Sequence, residues 1–518
     1  MQRTRSSIKN LIVALIGQIF GLIVSYLARI VFLRYLDAEY LGLNGLFTNL
    51  LTMLALVELG VGPAMVFSLY KPLAENDTEK VKSLMQLYKR AYMLIGLLIF
   101  ALGLAFTPFY PALINDLPDI PRLNLIYLLF VANTAVSYLY SYKRSLIITD
   151  QKRYIATIYR YGFYILLNVG QILILVLTRN YILFLLLQVF STWLENYLVS
   201  RKADRMYPFL SEKNVRKVDP QTVTGIKKNV GAMLFHKIGE IFVTASNNIF
   251  MAKFVNLTAV GIFSNYELVT NAIKMVTSQI FQSVVASVGN LNASETEADR
   301  EKLYRTFQAT NFVGFWVFAF CAVALLVLLN PFIALSFGED LIFELPVVIL
   351  IVITFYISGM RRAILTYRDA AGLYWIDRYK PLAESVIKVA TTIPLALKMG
   401  VAGIFLGTII STLTTCFWVE PYVLYRYVLR QKLSAYFRKY FEYTLIGVIA
   451  CLITVWITGF VPQSGWSGLL IKGLLCAVIP NAIFIIFFYR TPEFQYLVEK
   501  LSGVFRSLKS RFSAADHQ

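Results

Sequence analysis

Residues 8–42 read IKNLIVALIGQIFGLIVSYLARIVFLRYLDAEYLG. The apolar run inside this stretch outlasts the ~20 residues a helix needs to cross a ~30 Å hydrocarbon core. Its polar interruptions are ordered. Gln18, Ser25 and Arg29 are spaced seven and four apart, so at about 100° per residue they share one helix face. The run is far longer than the apolar core of a secretory signal, about 7–15 residues, and no small-residue cleavage site follows it. It reads as a retained first span whose one polar face ends in a cation.

Working outward, the 518 residues are 58% hydrophobic with a mean hydropathy of +0.62. Soluble domains hold about 45–50% apolar residues, and a membrane β-barrel would show short alternating segments. Long apolar runs recur throughout this chain instead. The expectation is an all-α integral membrane protein with 14 transmembrane helices, near residues 8–33, 41–70, 91–114, 123–147, 154–177, 181–199, 229–252, 259–288, 306–329, 342–366, 382–398, 401–425, 442–461 and 469–489.

The formal charge of +19 raises nucleic acid as a partner, but its placement argues for membrane topology. With both termini inside, 38 of the 49 lysines and arginines fall on inside segments. Six lie at the short outside ends and loops (Arg34, Arg122, Arg179, Lys253, Lys398 and Lys472), and five lie within spans. That asymmetry is the positive-inside pattern. Three inside segments, 80–90, 426–440 and the basic tail 493–512, carry apolar residues at helical spacing and read as surface-lying amphipathic helices that anchor to lipid.

The opening stretch also has a partner. Shifted by 219 positions it lies without a gap on KKNVGAMLFHKIGEIFVTASNNIFMAKFVNLTAVG (227–261), with seven identities over residues 9–42. Gly42 falls on Gly261 and Arg34 on Lys253. A second match, in the same sense, sets TDQKRYIATIYRYG (149–162) on IDRYKPLAESVIKV (376–389), with Asp150 on Asp377. Spans one to six therefore repeat as seven to twelve in the same orientation. This predicts two pseudo-symmetric six-helix lobes, 1–200 and 229–440, joined by a cytoplasmic linker 201–228. Helices thirteen and fourteen (441–490) and the amphipathic tail (491–518) follow. A binding site is expected between the lobes.

Charged residues within spans are costly and face a cavity or a partner. Under the 219 shift, Gln18, Ser25 and Arg29 become Lys237, Thr244 and Asn248, so the repeated helix keeps a polar face with a cation. Snorkelling of Arg29 to the outer surface is the alternative. Span eight carries Glu267, Asn271, Lys274, Ser278 and Gln282 at helical spacing, as a cavity face or an interlobe seam. Arg160 in span five, and Lys388 paired at i, i+4 with Glu384 in span eleven, lie near the inner membrane face, where snorkelling is again the alternative to a cavity. The five cations Arg29, Arg160, Lys237, Lys274 and Lys388, amid amides and hydroxyls, suit an anionic, hydroxyl-rich ligand: cations bind a pyrophosphate, and amides bind sugars. The isolated acids are Glu58, Glu195, Glu240, Glu267, Glu384 and Glu420. Of these, Glu58, Glu240 and Glu267 are the candidates for coupling to a proton or Na⁺.

Catalysis and metal chemistry find little support. Cys321, Cys416, Cys451 and Cys476 all lie in apolar runs without a C-x-x-C pair, and the histidines are His236 and His517 alone. No His/Cys metal site, cofactor or catalytic residue is expected. A membrane-bound polysaccharide polymerase or ligase would carry a long outer loop, whereas the outside connections here are short.

FLRYLDAEYLGLNGLFTNLLTMLALVELGVGPAMVFSLYKPLAEND (32–77), TDQKRYI (149–155), HKIGEIFVTASNNIFMAKFVNLTAVGIFSNYELV (236–269) and DAAGLYWIDRYKPLAESVIKV (369–389) together resemble the Wzx-type polysaccharide and O-antigen flippases. These belong to the multidrug/oligosaccharidyl-lipid/polysaccharide exporter superfamily. The resemblance implies a non-enzymatic flippase of the bacterial cytoplasmic membrane. It would carry undecaprenyl-pyrophosphate-linked oligosaccharide to the outer leaflet by alternating access, for capsule, O-antigen or exopolysaccharide assembly. Membrane lipids, a polysaccharide polymerase and assembly proteins are the implied partners; nucleic acid is not. Many relatives carry an acid where this chain has Asn247. A lipid II flippase is the alternative, and a multidrug exporter of the same superfamily a more distant one.

Overall fold

The computed structural model describes residues 2–58, 60–212, 215–216, 218–292, 297–371, 373, 376–462, 465–500 and 502; the side chains of 2–12, 14–15, 57, 74, 225, 227–241, 244, 280, 282–292 and 297–299 are outside that description. Lys237, Glu240 and Gln282, and the tail beyond 502, therefore lie outside the described residues.

Among the described residues the chain is all helix. The α-helices are α1 (Gln2–Tyr35), α2 (Ala38–Leu54), α3 (Val61–Ala74), α4 (Thr78–Ala105), α5 (Leu123–Tyr138), α6 (Ser141–Thr149), α7 (Arg153–Thr178), α8 (Tyr181–Met206), α9 (Pro220–Phe254), α10 (Leu257–Asn292), α11 (Glu297–Phe337), α12 (Leu345–Ala370), α13 (Lys380–Met399), α14 (Val401–Thr414), α15 (Cys416–Leu424), α16 (Leu433–Gly459) and α17 (Gly465–Phe488). Every expected span falls on one or two of them. Among the described residues nine helical stretches, one of them Val401–Leu429 running through α14 and α15, are long and apolar enough to cross a membrane, or ten if the α5–α6 pair, bent by 44°, is one span. Of the others, α2 stops at Leu54 after 17 residues, and α13 carries Lys380, Glu384 and Lys388.

Three expected spans are broken. The second passes through a 3₁₀ turn, Ala55–Glu58, to Gly60 at φ 79°, where α3 begins. The fourth breaks at Tyr140, φ 66°. The twelfth breaks at Thr415 and ends in a π-helical turn, Tyr425–Leu429.

Contacts group the chain into Met1–Ser264 and Asn265–Gln518. The seventh expected span, within α9, therefore packs with the first unit, against α2 and α3. Residues of 201–228, expected as a cytoplasmic linker, pack within the first unit. Ala203, Tyr207 and Ile226 join the core formed by Leu84, Tyr88 and Leu146; Tyr207 Oη donates to Asp150 Oδ2 at 2.7 Å; and Lys82 reaches Glu212 at 2.5 Å.

Two of the surface helices expected from periodicity are otherwise placed. Residues 80–90 are the first turns of α4, and Val81, Leu84, Met85 and Tyr88 are buried there. Residues 426–440 are divided by Arg430 at φ 51° between the π turn and α16. Their apolar positions serve the protein core, a difference that periodicity does not record.

Within the first unit the connections sort by side. Those expected outside converge: Asn115 N donates to Ala252 O at 3.0 Å and its amide to Val255 O at 3.2 Å, while Arg179 lies over the Tyr35 ring. Those expected inside converge separately, through Lys82–Glu212 and Tyr207–Asp150.

Candidate functional site

The opening stretch and its repeat meet in the first unit. A Cβ on Gly42 would lie 2.1 Å from the Leu257 carbonyl oxygen, and a Cβ on Gly261 would lie 2.1 Å from that of Ala38. The 219 shift carries Ala38 to Leu257 and Gly42 to Gly261, so this crossing of α2 with the start of α10 is reciprocal. Only glycine permits it, because the backbones themselves touch. One turn further, Arg29 Nη1 donates to Ser264 Oγ at 2.7 Å, and that hydroxyl donates to Gly261 O at 2.8 Å. The same shift takes Arg29 to Asn248 and Gly45 to Ser264. In the second arm Asn248, buried, faces the bare Gly45, whose Cβ would lie 3.5 Å from Asn248 Nδ2. A half-buried cation thus stands beside a local two-fold crossing, with an amide as its counterpart. Gln18 and Ser25 are half-buried on the same helix.

Glu58 ends the 3₁₀ turn that breaks the second span. Its carboxylate accepts from Tyr92 Oη at 2.6 Å and Tyr138 Oη at 3.1 Å. Tyr88 Oη donates to Tyr92 Oη at 3.3 Å and to Ser145 Oγ at 3.1 Å. A Cβ on Gly62 would sit 2.6 Å from Tyr92 Oη and 2.7 Å from Glu58 Oε1, too close for any larger residue to leave the cluster intact. Hydroxyls from α4 and α5 thus hold this acid between two broken spans.

The second unit holds a denser set of charges. Arg361 grips Glu420 bidentately, Nε to Oε2 at 2.9 Å and Nη2 to Oε1 at 2.7 Å. Lys380 also bonds Glu420 and lies 3.3 Å from Asp377, to which Arg368 Nη1 donates at 2.8 Å. Nearby on α13, Glu384 accepts from Thr412 Oγ1 at 3.1 Å and from the Cys416 thiol at 2.9 Å. Lys388, one turn on, has no exposed surface; further along α13 the contact with α14 is tight, where Gly403 and Gly407 meet Leu395 and Thr392.

Three acids that look isolated in sequence are thus paired or bonded: Glu195 with Arg144 at 2.5 Å, Glu420 with Arg361, and Glu384 with Thr412 and Cys416. Their partners lie tens of residues away, beyond the reach of a helix-face reading. Arg144–Glu195 and Arg361–Glu420 both tie a fourth-span residue of their repeat to the sixth span. Sequence reading missed Arg361, Arg368 and Lys380 as members of this network; Asp377 was visible through the repeat.

The other expected residues scatter. Arg160 is exposed on α7. Its neighbour Tyr161 packs on α1, where a Cβ on Gly17 would lie 2.2 Å from the ring. In the second unit Asn271 is exposed, while Lys274 and Glu267 are half-buried within electrostatic reach of one another, with Arg362 close by. Among the described residues no group of His, Cys, Asp and Glu is placed to hold a metal ion.

No family model matches the sequence, and no curated protein matches it. Solved structures do match. The lipid II flippase MurJ in an inward closed conformation superposes with a TM-score of 0.65 at 14% identity, over 92% of this chain and 99% of that one. An inward-facing multidrug resistance MATE family transporter of the MOP superfamily gives 0.60 at 14% identity, over 78% and 94%. The Vibrio cholerae MATE transporter VcmN gives 0.54 at 13% identity, over 83% and 99%. At such identities the likeness establishes the fold: this chain is built as these flippases and transporters are built, as a multi-pass helical membrane protein.

Proposed function

We propose that this protein is a flippase that moves undecaprenyl-pyrophosphate-linked oligosaccharide from the cytoplasmic to the outer leaflet by alternating access, for capsule, O-antigen or exopolysaccharide assembly. The observation that carries the reading is Arg29, a cation on a membrane helix in the fold of a lipid-linked-precursor flippase, half-buried and bonded to the neutral Ser264 hydroxyl. A guanidinium so placed favours a pyrophosphate, because charge-assisted bonds to phosphate oxygens are roughly twice as strong as neutral ones. Lys237, Lys274, Arg160, Asn248 and Asn271 are proposed to contribute to the same ligand, with Gln18 and Ser25. The termini are cytoplasmic in this reading, and the partners are membrane lipids, a polymerase and assembly proteins. Of the candidate coupling acids, Glu58 is favoured, since tyrosine hydroxyls rather than cations hold it; Glu267 faces Lys274.

A second reading, lipid II transport, is favoured by the 0.65 match to MurJ. A strain lacking its polysaccharide flippase, complemented with this chain and assayed for lipid-linked intermediates by leaflet, separates the two. Restored export supports the first; rescue confined to a lipid II flippase deletion supports the second. Normal export by the combined Arg29→Ala and Lys237→Ala variant would refute the cationic mechanism.

A further inference from the structure

We propose that Lys472 holds the phosphate of an outer-leaflet lipid at a fixed site on the α16–α17 hairpin. The site stands apart from the transported substrate. Residues 443–488 contain one charged side chain, Lys472, and this hairpin lies outside the internal repeat. Helix α17 packs on α11 and α16. Its buried stripe is Gly468, Lys472, Cys476, Pro480, Phe484 and Phe488, about one residue per turn. A lysine that merely snorkels lies on the lipid-facing side, which in α17 carries the exposed Leu470, Ile471 and Leu474. Lys472 lies in the packed seam instead and is 8% exposed. Among the described residues its ammonium has no hydrogen-bond or ion-pair partner, and it is not one of the enclosed polar atoms. The hydrocarbon stem is therefore held by packing while the charge opens to the surroundings.

The level of that charge in the membrane follows from the helix. The 24 residues of α17 span about 36 Å against a hydrocarbon core of ~30 Å, so its first turn stands at the hydrocarbon boundary. Lys472 is about 10 Å below Gly465 along the axis, and helical side chains lean towards the helix start. Exposed aromatic rings mark the same level: Trp466 lies edge-on to Phe332 at 6.4 Å, and Trp456 edge-on to Phe460 at 5.3 Å. Such rings settle among lipid headgroups. On the proposed topology this is the outer leaflet. The start of α17 also carries the positive end of the helix dipole, which repels a cation and attracts an anion. A structural ammonium is therefore misplaced there, and a lipid phosphate reconciles both charges through charge-assisted hydrogen bonds. Because packing already fixes the stem, little further ordering is needed to bind. The acyl chains of the lipid then lie along the exposed Leu470 and Leu474.

The test is native mass spectrometry of the full chain, titrated with phosphatidylglycerol and, as the phosphate-free control, diacylglycerol. Lys472→Met keeps the stem and removes the charge. It should bind phosphatidylglycerol about fivefold more weakly than the wild type, the worth of one lysine at an anionic membrane surface. Lys472→Gln should lose as much, and Lys472→Arg should retain most of the binding. Lys398→Met removes an exposed lysine in the last turn of α13 and should bind as the wild type does. Competition identifies the source of the phosphate. Displacement by geranylgeranyl pyrophosphate assigns the site to a polyprenyl pyrophosphate, and retention of phosphatidylglycerol assigns it to bulk phospholipid; either supports a lipid-phosphate site. Displacement by inorganic pyrophosphate at the same concentration overturns the lipid. Equal losses in Lys472→Met and Lys398→Met, unchanged binding in Lys472→Met and Lys472→Gln, or equal wild-type binding of phosphatidylglycerol and diacylglycerol overturns the site.

Discussion

Replacing Glu420 with alanine removes the one carboxylate shared by Arg361 and Lys380. Glu420 is wholly buried and the Arg361 side chain is 20% exposed. Lys380 retains Asp377 at 3.3 Å, but Arg361 loses both of its bonds. Removing one partner of a buried pair costs about 3–5 kcal/mol, because the remaining charge stays desolvated and uncompensated. The equivalent bridge in the first unit provides an internal control. There Arg144 is 26% and Glu195 18% exposed, and Arg144 also donates to Asn196 Oδ1 at 3.0 Å. Glu195→Ala should cost only about 1 kcal/mol, as for a partly solvated pair. Equilibrium unfolding in mixed micelles with increasing SDS measures both. In a double-mutant cycle, Arg361→Leu with Glu420→Ala should be less destabilised than the two single changes summed, by about 2 kcal/mol. The reasoning fails if Glu420→Ala costs no more than Glu195→Ala, or if the cycle is additive within about 0.5 kcal/mol.

Gly42→Val and Gly261→Val each place side-chain atoms on a carbonyl oxygen that already lies 2.1 Å from where a Cβ would be. On the proposed function both should reduce export, and to a similar degree, because the backbones touch at equivalent points; unequal effects on export in cells would contradict the reciprocal crossing. Glu58→Gln keeps the shape of the tyrosine cage and removes the charge. On the reading that Glu58 couples transport to protons, this variant should abolish the dependence of export on a pH gradient, measured in proteoliposomes beside the wild type. Gly407→Leu, aimed at Thr392 atoms within 2.3–2.9 Å of the new Cβ, should overpack the α13–α14 contact and lower thermal stability by about 1–3 kcal/mol. Asp219 caps α9 through Thr222 N at 2.7 Å and Thr222 Oγ1 at 2.6 Å, and these bonds hold its carboxyl below the ordinary value. Since the folded value is the lower one, the cap is complete above about pH 4 and lost as pH falls through the folded value. Acid-induced fraying of residues 220–224, read by hydrogen exchange, should disappear in Asp219→Ala.

The opening stretch, read alone, already determined that the chain crosses a membrane as helices, because apolar length and helical spacing are local properties. The 219-residue repeat was legible too, and it set Gly42 and Gly261 as equivalent positions; that the helices carrying them cross there came only from the tertiary structure. What lay beyond the sequence was which polar group meets which. Glu195, Glu384 and Glu420 looked isolated because periodicity along one helix is blind to a partner on another. That Lys388 has no exposed surface is likewise a property of tertiary packing, which spacing along α13 does not record. The breaks at Gly60, Tyr140 and Thr415 hide inside continuous apolar runs, since hydropathy records solvent preference and not backbone dihedrals. Arg29 shows the division most clearly. Its face was set by spacing along α1, but its bond to Ser264, 235 residues away, exists only because two glycines let α2 and α10 touch.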